Sequence, residues 1–331
     1  MKYLILNNNT PVHTELANKI STILDKNGIQ NTVYSPFFKT NSIGSLSFYK
    51  FFLIKSLFKS LLLFFKGYNN IVLTSPTTYV IPVLVLSRVF KKKTFYFMHE
   101  PNLKRKDFYS LLVNLFNKII GNICTDIVVL SKFAEKEANS KFILKRISRI
   151  NYPSGSLQKL PPQDKKYITF VGNLSNNKRL DLFINLAQTC SEEFIIAGSG
   201  DFSQHKNNIN KANINLINKF LTKQEFDLLI QQSKFIILPY ETSTQSAVLF
   251  DSFRNKTPVI ATNCGSFSEF VLQGFNGYLF DIKDFVNDCL SIIENTNKSQ
   301  IKLLSQNCAE YFKANLSDDL FEKKIMNLIK N

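Results

Sequence analysis

One stretch decides the fold: Ile237–Gly265, with the sequence ILPYETSTQSAVLFDSFRNKTPVIATNCG. Its pattern predicts a strand, a loop, a helix, a second strand and a turn. The polar loop at 242–246 can cap the helix, because its hydroxyls accept hydrogen bonds from free N–H groups. In such a unit the helix N-terminus lies at the carboxyl end of the first strand, where its dipole favours a phosphate. The stretch therefore predicts an anion site at a sheet edge.

Strands and helices alternate on both sides of this stretch. The first half has predicted strands at Lys2–Leu6, Thr32–Tyr34, Asn70–Leu73, Thr94–Met98 and Asp126–Leu130. The second half has them at Tyr167–Val171, Glu193–Ala197, Ile214–Ile217, Phe235–Leu238 and Pro258–Ala261. Strands that alternate with helices form parallel sheets, and ligands bind at the carboxyl ends of those strands. We therefore expect an α/β protein with two tandem Rossmann-like, doubly wound domains that face a central cleft.

A proline-rich segment separates the two predicted domains. Asn151–Pro162 contains three prolines and a glycine, a composition typical of a linker. The predicted domains are residues 1–160 and residues 161–331. Terminal helices are expected at about Asp284–Glu294 and Ser317–Ile329, and the last of them could pack back on the first domain.

The net charge of +16 belongs to the first half of the chain. Residues 1–160 hold the whole excess of Lys and Arg, whereas residues 161–331 are balanced. Such asymmetry predicts an anionic partner for the first half: a membrane surface, a nucleic acid or an acidic substrate. A nucleic acid is disfavoured, because no recognition motif and no bias towards Arg is present.

The segment Leu46–Lys66 allows two interpretations. It is rich in Phe and Leu, has no acidic residue, and places Lys55, Lys59 and Lys66 on one side of a helix. It could be a core helix with lysines at its solvent edge, or an interfacial helix whose lysines bind anionic lipid. Two further basic clusters, Lys91–Lys93 and Lys104–Lys106, favour the membrane slightly.

The cysteines and the apolar runs predict the compartment. The chain has five widely scattered cysteines without a metal or disulfide spacing, so we expect reduced thiols and a cytoplasmic protein. No apolar run reaches the ~20 residues of a spanning helix. Peripheral attachment to the inner face of the plasma membrane is the alternative that the basic half leaves open.

Two residues outside the opening stretch occupy positions that suit chemistry. Lys178 lies at a junction of loop and helix, where an ammonium can reach an oxygen already held by backbone N–H groups. His99 follows a predicted strand and should lie at the carboxyl edge of its sheet. The segment Gly198–Gly200 is only a fragment of a dinucleotide motif and predicts little.

The chain resembles a GT-B glycosyltransferase, most similar to family 4, the glycosyl transferases group 1. The family pattern combines a Pro-containing turn, a phosphate-binding loop, an acidic pair eight residues apart and a Pro-Val-Ile strand. Here it reads Pro239-Tyr240, Thr244-Gln245-Ser246-Ala247, Asp251, Pro258-Val259-Ile260, and then Gly265, Glu269, Gly274 and Asn276-Gly277. The Thr-Gln-Ser form of the loop is similar to a branch that builds bacterial surface polysaccharides.

The resemblance implies a role for particular residues. Lys178, His99 and Asp251 would be the catalytic set, with Lys178 on the diphosphate, His99 on the donor sugar and Asp251 on the ribose. The donor-binding set would be Asn173, Lys178, Lys219, Phe220, Glu241, Ser243, Gln245, Ser246, Ala247 and Asp251. Two positions depart from the pattern: Ser243 replaces the first acidic residue, with Glu241 as its possible substitute, and Asn173 replaces an Arg.

The resemblance also implies the reaction. A hexosyltransferase-type enzyme would move a sugar from a nucleotide-diphosphate sugar to a saccharide or lipid-linked acceptor bound by the first domain, with retention. A lysine and a helix N-terminus can stabilise the leaving diphosphate, so neither a metal nor a cofactor is expected. The alternatives are a sugar-nucleotide epimerase or hydrolase on the same fold, and a non-catalytic, membrane-associated protein that binds nucleotide sugars.

Overall fold

The structure is a computed structural model that describes residues 1–8, 10–36, 46–103, 108–158, 163–211 and 214–330. The chain divides into two compact units. Unit 1 comprises Met1–Pro153 together with Phe321–Asn331, and unit 2 comprises Ser154–Leu320. The predicted basic cluster Lys104–Lys106 and residues 159–162 of the predicted linker lie outside the described residues.

Unit 1 is built on a parallel sheet. Its elements are β1 (Lys2–Leu6), α1 (Pro11–Lys26), β2 (Gln30–Tyr34), α2 (Leu46–Phe64), β3 (Asn70–Leu73), α3 (Ile81–Val89), β4 (Lys93–Met98), α4 (Phe108–Ile123), β5 (Asp126–Val129), α5 (Lys132–Lys141) and β6 (Arg146–Arg149). The strand order is β2-β1-β3-β4-β5-β6, and every pairing is parallel. β3 and β5 are buried along their whole length, as expected for apolar strands covered on both faces.

Unit 2 repeats this architecture. Its elements are β7 (Tyr167–Val171), α6 (Leu180–Thr189), β8 (Glu193–Ala197), α7 (Lys206–Lys211), β9 (Ile214–Ile217), α8 (Lys223–Gln231), β10 (Ser233–Leu238), α9 (Ala247–Arg254), β11 (Val259–Thr262), α10 (Phe267–Phe270), β12 (Gly277–Phe280), α11 (Phe285–Asn295) and α12 (Lys298–Asn315). The helix α13 (Asp318–Lys330) begins in unit 2 and ends in unit 1.

The strand order of unit 2 places the candidate site. The order is β12-β11-β10-β7-β8-β9, and all pairings are parallel. The chain runs from β7 to one edge of the sheet, returns to β10 beside β7, and then continues to the other edge. Loops therefore diverge above the carboxyl ends of β7 and β10, and a crevice opens there. Lys178 follows β7, and the polar loop of the opening stretch follows β10.

The predicted α/β fold with doubly wound parallel sheets is confirmed. Five of these elements were not predicted: β6, α7, α10, β12 and the long helix α12. All five cysteines are free thiols, and Cys124, Cys289 and Cys308 are buried. In the described part of the chain, no helix is both long enough and apolar enough to cross a membrane.

Candidate functional site

The loops that follow β7 and β10 are hydrogen-bonded to each other. The backbone N–H of Glu241 donates to the carbonyl of Asn177 at 2.7 Å. The Asn177 side-chain amide donates to the carbonyl of Thr242 at 3.3 Å. The crevice at the strand ends is thus lined by two segments that hold each other in place.

Glycines allow a close approach of backbone segments at the floor of the crevice. A Cβ at Gly198, which has φ +148°, would lie 2.1 Å from the carbonyl oxygen of Gly172. A Cβ at Gly265, which has φ +53°, would lie 1.8 Å from the carbonyl oxygen of Ser243. In both positions the conformation and the contact require glycine. The loops that follow β8 and β11 can therefore pack directly under the loops of β7 and β10.

Lys178 lies at the end of a short 3₁₀ turn after β7. Its Nζ donates to the carbonyl of Asn173 at 2.6 Å and lies 5.5 Å from the centre of the Tyr240 ring. Burial lowers the pKa of Lys178 to about 8. The side chain of Asn173 accepts from the Ser199 hydroxyl at 3.0 Å, which holds the loop in position.

The N-terminus of α9 lies beside the Lys178 ammonium. A Cβ built on Gly172 would be 3.2 Å from Lys178 Nζ and 3.4 Å from Val248 Cγ2, so both groups cover the same glycine. Ser246 is the N-cap of α9, and its Oγ accepts from the Leu249 N–H at 3.3 Å. The other N–H groups of a first helical turn have no partner within the helix. A cation and a helix N-terminus here share one opening, which is an arrangement that binds anions.

The remaining residues of the predicted phosphate loop surround this point. Ser246 is buried, Gln245 is half-buried, and Ala247 is exposed in the first turn of α9. Ser243, at the position of the missing acidic residue, is buried, and its Oγ has no hydrogen-bond partner among the described residues. Glu241 is exposed near Arg179, whose pKa is raised chiefly by Asp181 and also by the Glu241 charge.

Asp251 lies further along α9 in a network of ion pairs. Its Oδ1 accepts from Arg254 Nε at 3.0 Å and lies 3.4 Å from Lys223 Nζ. The Arg254 guanidinium is buried and also bonds to Asp227 on α8. The sequence analysis missed Arg254 and Asp227. The signal for Arg254 was its position three residues after Asp251, which places the two on one helix face.

The predicted base-binding loop lies next to this network. Lys219 pairs with Glu225 at 2.6 Å, and the Phe220 side chain is 79% exposed. Both precede α8, whose first residue, Lys223, contacts Asp251. The loop and Asp251 therefore lie at the same end of the crevice, and an exposed ring is available for stacking.

His99 belongs to unit 1, where it packs against a second histidine. It follows β4, and its ring centroid is 4.4 Å from that of His13 in a T-shaped arrangement. His13 Nδ1 and His99 Nε2 have no hydrogen-bond partner among the described residues. Burial lowers the pKa of His13 to about 4. Burial, and secondarily the charge of His13, lowers the pKa of His99 to about 3.

The predicted site residues thus fall into three groups. Lys178 and Asn173 lie with the start of α9, Asp251 lies with the loop at 219–220, and His99 lies in unit 1. In the described residues, no cluster of three or more His, Cys, Asp or Glu is suited to hold a metal ion. The first group is the one whose chemistry is most defined, because it combines a partly buried cation with free backbone donors.

Comparisons with known proteins show which family the second half is similar to. Residues 165–295 match the family described as glycosyl transferases group 1. A relative, an uncharacterized glycosyltransferase of Methanocaldococcus jannaschii, is 28% identical over 156 residues, which are 45% of this chain and 44% of the relative. The chain thus matches less than half of that relative's length. These matches confirm the predicted resemblance to glycosyl transferases group 1.

Solved structures give the fold of the whole chain. Sucrose-phosphate synthase of Thermosynechococcus elongatus has a TM-score of 0.80 at 13% identity, with 100% of this chain and 98% of that chain covered. HepE of Anabaena, solved in complex with UDP, has a TM-score of 0.70 at 13% identity, with both chains covered completely at 100%. At such low identity the likeness concerns the fold alone, and it confirms the predicted GT-B architecture.

Proposed function

We propose that this chain, whose residues 165–295 match glycosyl transferases group 1, is a glycosyltransferase. It would move a sugar from a nucleotide-diphosphate sugar to a hydroxyl of a saccharide or lipid-linked acceptor. The observation that supports this most directly is the Lys178 ammonium beside the N-terminus of α9, at the switch point of the unit 2 sheet. A diphosphate has the charge and the size to occupy that opening.

In the proposed reaction the bond between the anomeric carbon and the diphosphate oxygen breaks. The acceptor oxygen forms the new bond to that carbon, and its proton passes to an oxygen of the leaving diphosphate. Negative charge develops on the leaving diphosphate, where Lys178 and the N–H groups of α9 can stabilise it without reorganising. We propose that no metal or cofactor is required, because these fixed groups supply the positive charge. We propose retention at the anomeric carbon on the basis of the resemblance to family 4.

The nucleoside would lie along α8 and α9. One oxygen of Asp251 is held by Arg254 and Lys223, which leaves the other carboxylate oxygen as an acceptor for ribose hydroxyls. The exposed Phe220 ring is suited to stack on the base. UDP is the first nucleotide to test, since the structurally similar HepE was solved with it.

We propose that unit 1 binds the acceptor and that His99 contacts the donor sugar as a neutral imidazole. The excess positive charge of residues 1–160 favours an acceptor at an anionic surface, such as a lipid-linked saccharide in the synthesis of a surface polysaccharide. This acceptor would place the protein in the cytoplasm, peripheral to the inner face of the plasma membrane.

A nucleotide-release assay tests the proposal. The full chain is mixed with a panel of nucleotide sugars, with and without candidate saccharide acceptors, and free nucleoside diphosphate is measured. Lys178→Ala should lower the release at least about a hundredfold, the scale of a lost oxyanion-type contact. The matched control is Lys283→Ala, an exposed lysine outside the crevice, which should leave the rate unchanged.

The products separate the alternatives. Transfer of the sugar to an added acceptor supports the proposal, whereas release of free sugar regardless of acceptor indicates a hydrolase. A new nucleotide sugar of the same mass indicates an epimerase. Nucleotide binding without any turnover would indicate a non-catalytic binding protein. Equal release by the wild type and Lys178→Ala would contradict the phosphate role of Lys178.

A further inference from the structure

Helix α2 exposes several large apolar side chains although it buries two serines, which lie on its inner side with the apolar Leu63 and Phe64. Ser56 and Ser60 are 1% and 0% exposed, whereas Phe58 and Phe65 are 64% and 66% exposed. The Ser60 hydroxyl donates to the carbonyl of Leu57 within the helix, so the inward serine needs no partner beyond α2. A water-facing helix normally has the opposite arrangement.

The outward apolar side chains of α2 form one stripe. Ile54, Phe58 and Leu62 are spaced by four residues, and Phe65 follows in the turn after the helix. At 100° per residue these positions span about 80° of the helix surface. Lys55 lies one residue beyond the stripe, and Lys59 and Lys66 repeat its position, so the stripe has a cationic border on one side.

The same inversion occurs on α4. Ser110 and Asn117 are buried on its inner side, whereas Phe108, Leu111 and Leu115 are exposed on its outer side. The Asn117 side chain donates to the carbonyl of Glu100 at 2.7 Å, which accounts for its inward orientation. Two helices therefore use polar groups for internal bonds and leave apolar groups at the surface.

Helix α3 joins these two helices into one surface. It packs against both α2 and α4. Its own residues Val85 and Val89, and Phe90 at its end, are exposed. The crossovers through α2, α3 and α4 all run in the same direction across the sheet, so right-handed connections place the three helices on one side of it. We call the exposed apolar side chains of α2, α3 and α4 the apolar face.

The charged residues of the described part of α2 and α3 are all cations. The sequence contains no Asp or Glu from Lys26 to His99 and none within α4, although Asp107 directly precedes α4. Exposed lysines follow α2 and α3, and Lys92 Nζ lies 3.7 Å from the centre of the Phe64 ring. A monomeric soluble protein rarely exposes a contiguous apolar surface of this kind without a binding partner.

The absence of acidic residues from the three helices selects the partner. A second copy of this chain, docked face to face, would bring two lysine borders together without a carboxylate on these helices to compensate them. The phosphates of an anionic bilayer compensate the lysines, while its acyl boundary accepts the phenylalanines.

We propose that the apolar face is a membrane-docking surface for an anionic bilayer. Phe58, Phe65 and their neighbours on α3 and α4 enter the headgroup region, and the bordering lysines contact lipid phosphates. The sequence suggested an interfacial role for α2 alone. The proposed surface also includes α3 and α4. Lipid binding does not depend on the glycosyltransferase activity, and only its link to a membrane-borne acceptor rests on the proposed function.

Sedimentation with lipid vesicles tests the proposal. The full chain is spun with vesicles of phosphatidylcholine alone, or of phosphatidylcholine with phosphatidylglycerol, at low and at high salt. We expect binding to the anionic vesicles at low salt, at least about tenfold weaker binding to the neutral ones, and weakening by salt. Equal binding to both lipids, or none at all, would overturn the proposal.

Variants locate the docking surface. Phe58→Ser combined with Phe65→Ser should reduce vesicle binding at least about tenfold, since interfacial affinity scales with the apolar area that enters the lipid. Because both rings are exposed, the variant should fold, and unchanged nucleotide release or an unchanged circular dichroism spectrum will verify this. The matched control is Leu303→Ser, an exposed apolar residue of α12. If Leu303→Ser lost vesicle binding and the Phe58→Ser/Phe65→Ser variant kept it, the assignment of the docking surface to the apolar face would be wrong.

Two further measurements separate the competing occupants. Replacing Lys55, Lys59 and Lys66 by Gln should remove the preference for anionic vesicles. Sedimentation equilibrium without lipid tests for a dimer, and a dimer dissociated by the Phe58→Ser/Phe65→Ser change would overturn the lipid assignment in favour of a second copy. Nucleotide release without lipid is scored separately, so a failure of the proposed function and a failure of docking give different results.

Discussion

The lowered pKa of Lys178 gives the proposed donor site a pH dependence. Burial lowers the pKa of Lys178 to about 8, so the ammonium is present below pH 8 and is lost as the pH rises through that value. We expect the affinity for UDP or its sugars, measured by titration calorimetry, to fall above pH 8, by up to about tenfold per pH unit.

Lys178→Arg is the control for this dependence. A guanidinium keeps its charge throughout the range. The variant can bind more weakly because its geometry differs, but its affinity should change little between pH 7 and pH 9. A wild-type affinity that is constant over this range would show that the Lys178 charge does not hold the donor.

The histidine pair of unit 1 couples stability to acid. The folded pKa values of His13 and His99 are about 4 and about 3, below the unfolded value of 6.5. Below pH 6.5 the unfolded chain therefore binds more protons than the folded one, and stability falls as the pH falls. Each buried histidine should lower the free energy of unfolding by about 2 kcal/mol between pH 7 and pH 5.

Urea unfolding at pH 7 and pH 5 measures this effect. His99→Gln should lose part of the difference between the two pH values, because one of the two buried imidazoles is gone. His205→Gln, which changes the histidine of unit 2, should keep the full difference. If the free energy of unfolding of the wild type were the same at both values, the pair would not be buried in solution.

At the residue level, the sequence indicated a candidate site but did not show its electrostatics. The position of Lys178 at a junction of loop and helix did not by itself distinguish it from a solvated lysine, and the resemblance to glycosyl transferases group 1 selected it. The ion pairs of Asp251 were not predicted, because Asp227 reaches Arg254 from a different helix and only tertiary packing brings them together. The role of each predicted site residue stays a prediction.

At the level of secondary-structure elements, the buried Arg254 at the end of α9 leads to a prediction about the stability of unit 2. Arg254→Met leaves the carboxylates of Asp227 and Asp251 without their shared guanidinium. Removing one partner of a buried ion network costs about 3–5 kcal/mol. Urea unfolding of unit 2 should show a loss of this size.

A double variant completes this test. Adding Asp227→Asn to Arg254→Met removes one unpaired charge and should restore part of the lost stability. Lys223→Gln is the control, because its side chain is largely solvent-exposed and such pairs contribute about 1 kcal/mol or less. If Arg254→Met were as stable as the wild type, the network would be of little structural importance.

The two missed strands have little apolar sequence. β6 has the sequence RISR, and β12 has only the short run Tyr278–Phe280 after a glycine. Both are edge strands, which need less apolar surface because one side has no neighbouring strand. α12 had a usable signal in the capping box of Asn297 and Gln300, which the analysis did not use.

The orientation of α2 could not be predicted from its sequence. Periodicity gives the angles between side chains around a helix, but it does not show which side faces the core. The apolar stripe and the pair Ser56 and Ser60 lie on nearly opposite sides, and the usual rule would have turned the stripe inwards. The internal hydrogen bond of Ser60 allows the reverse.

For the whole molecule, the alternation of strands and helices was enough to predict two parallel sheets. The order of the strands within each sheet was not predicted, because it depends on pairings between residues distant in the sequence. The resemblance to glycosyl transferases group 1 is the only part of the sequence analysis that implied a reaction, and it is clearest over residues 165–295, where the family match lies.

Unit 1 needs the end of α13, and a truncation tests this dependence. Phe321, Ile325 and Leu328 are buried, and Glu322 pairs with Lys26 at 2.7 Å. A chain that ends at Leu320 should lose about 4 kcal/mol or more from unit 1, given about 1.5–3 kcal/mol for each buried apolar side chain. Differential scanning calorimetry should show a lower transition for unit 1 and an unchanged one for unit 2.

The control for the truncation is Lys26→Gln. This change removes only the exposed ion pair and should alter the stability of unit 1 by less than about 1 kcal/mol. A truncated chain with the transitions of the wild type would show that residues 321–331 are dispensable for unit 1.

Unit 1 is formed from two separate parts of the chain, and this determines when it can be completed during translation. Residues 321–331 emerge only after all of unit 2 has been made, although the rest of unit 1 emerges first. At the usual speed of translation this delay is on the order of ten seconds. During that time the surface that Phe321 and Ile325 will cover is open, so the first unit to be synthesised is the last to be completed.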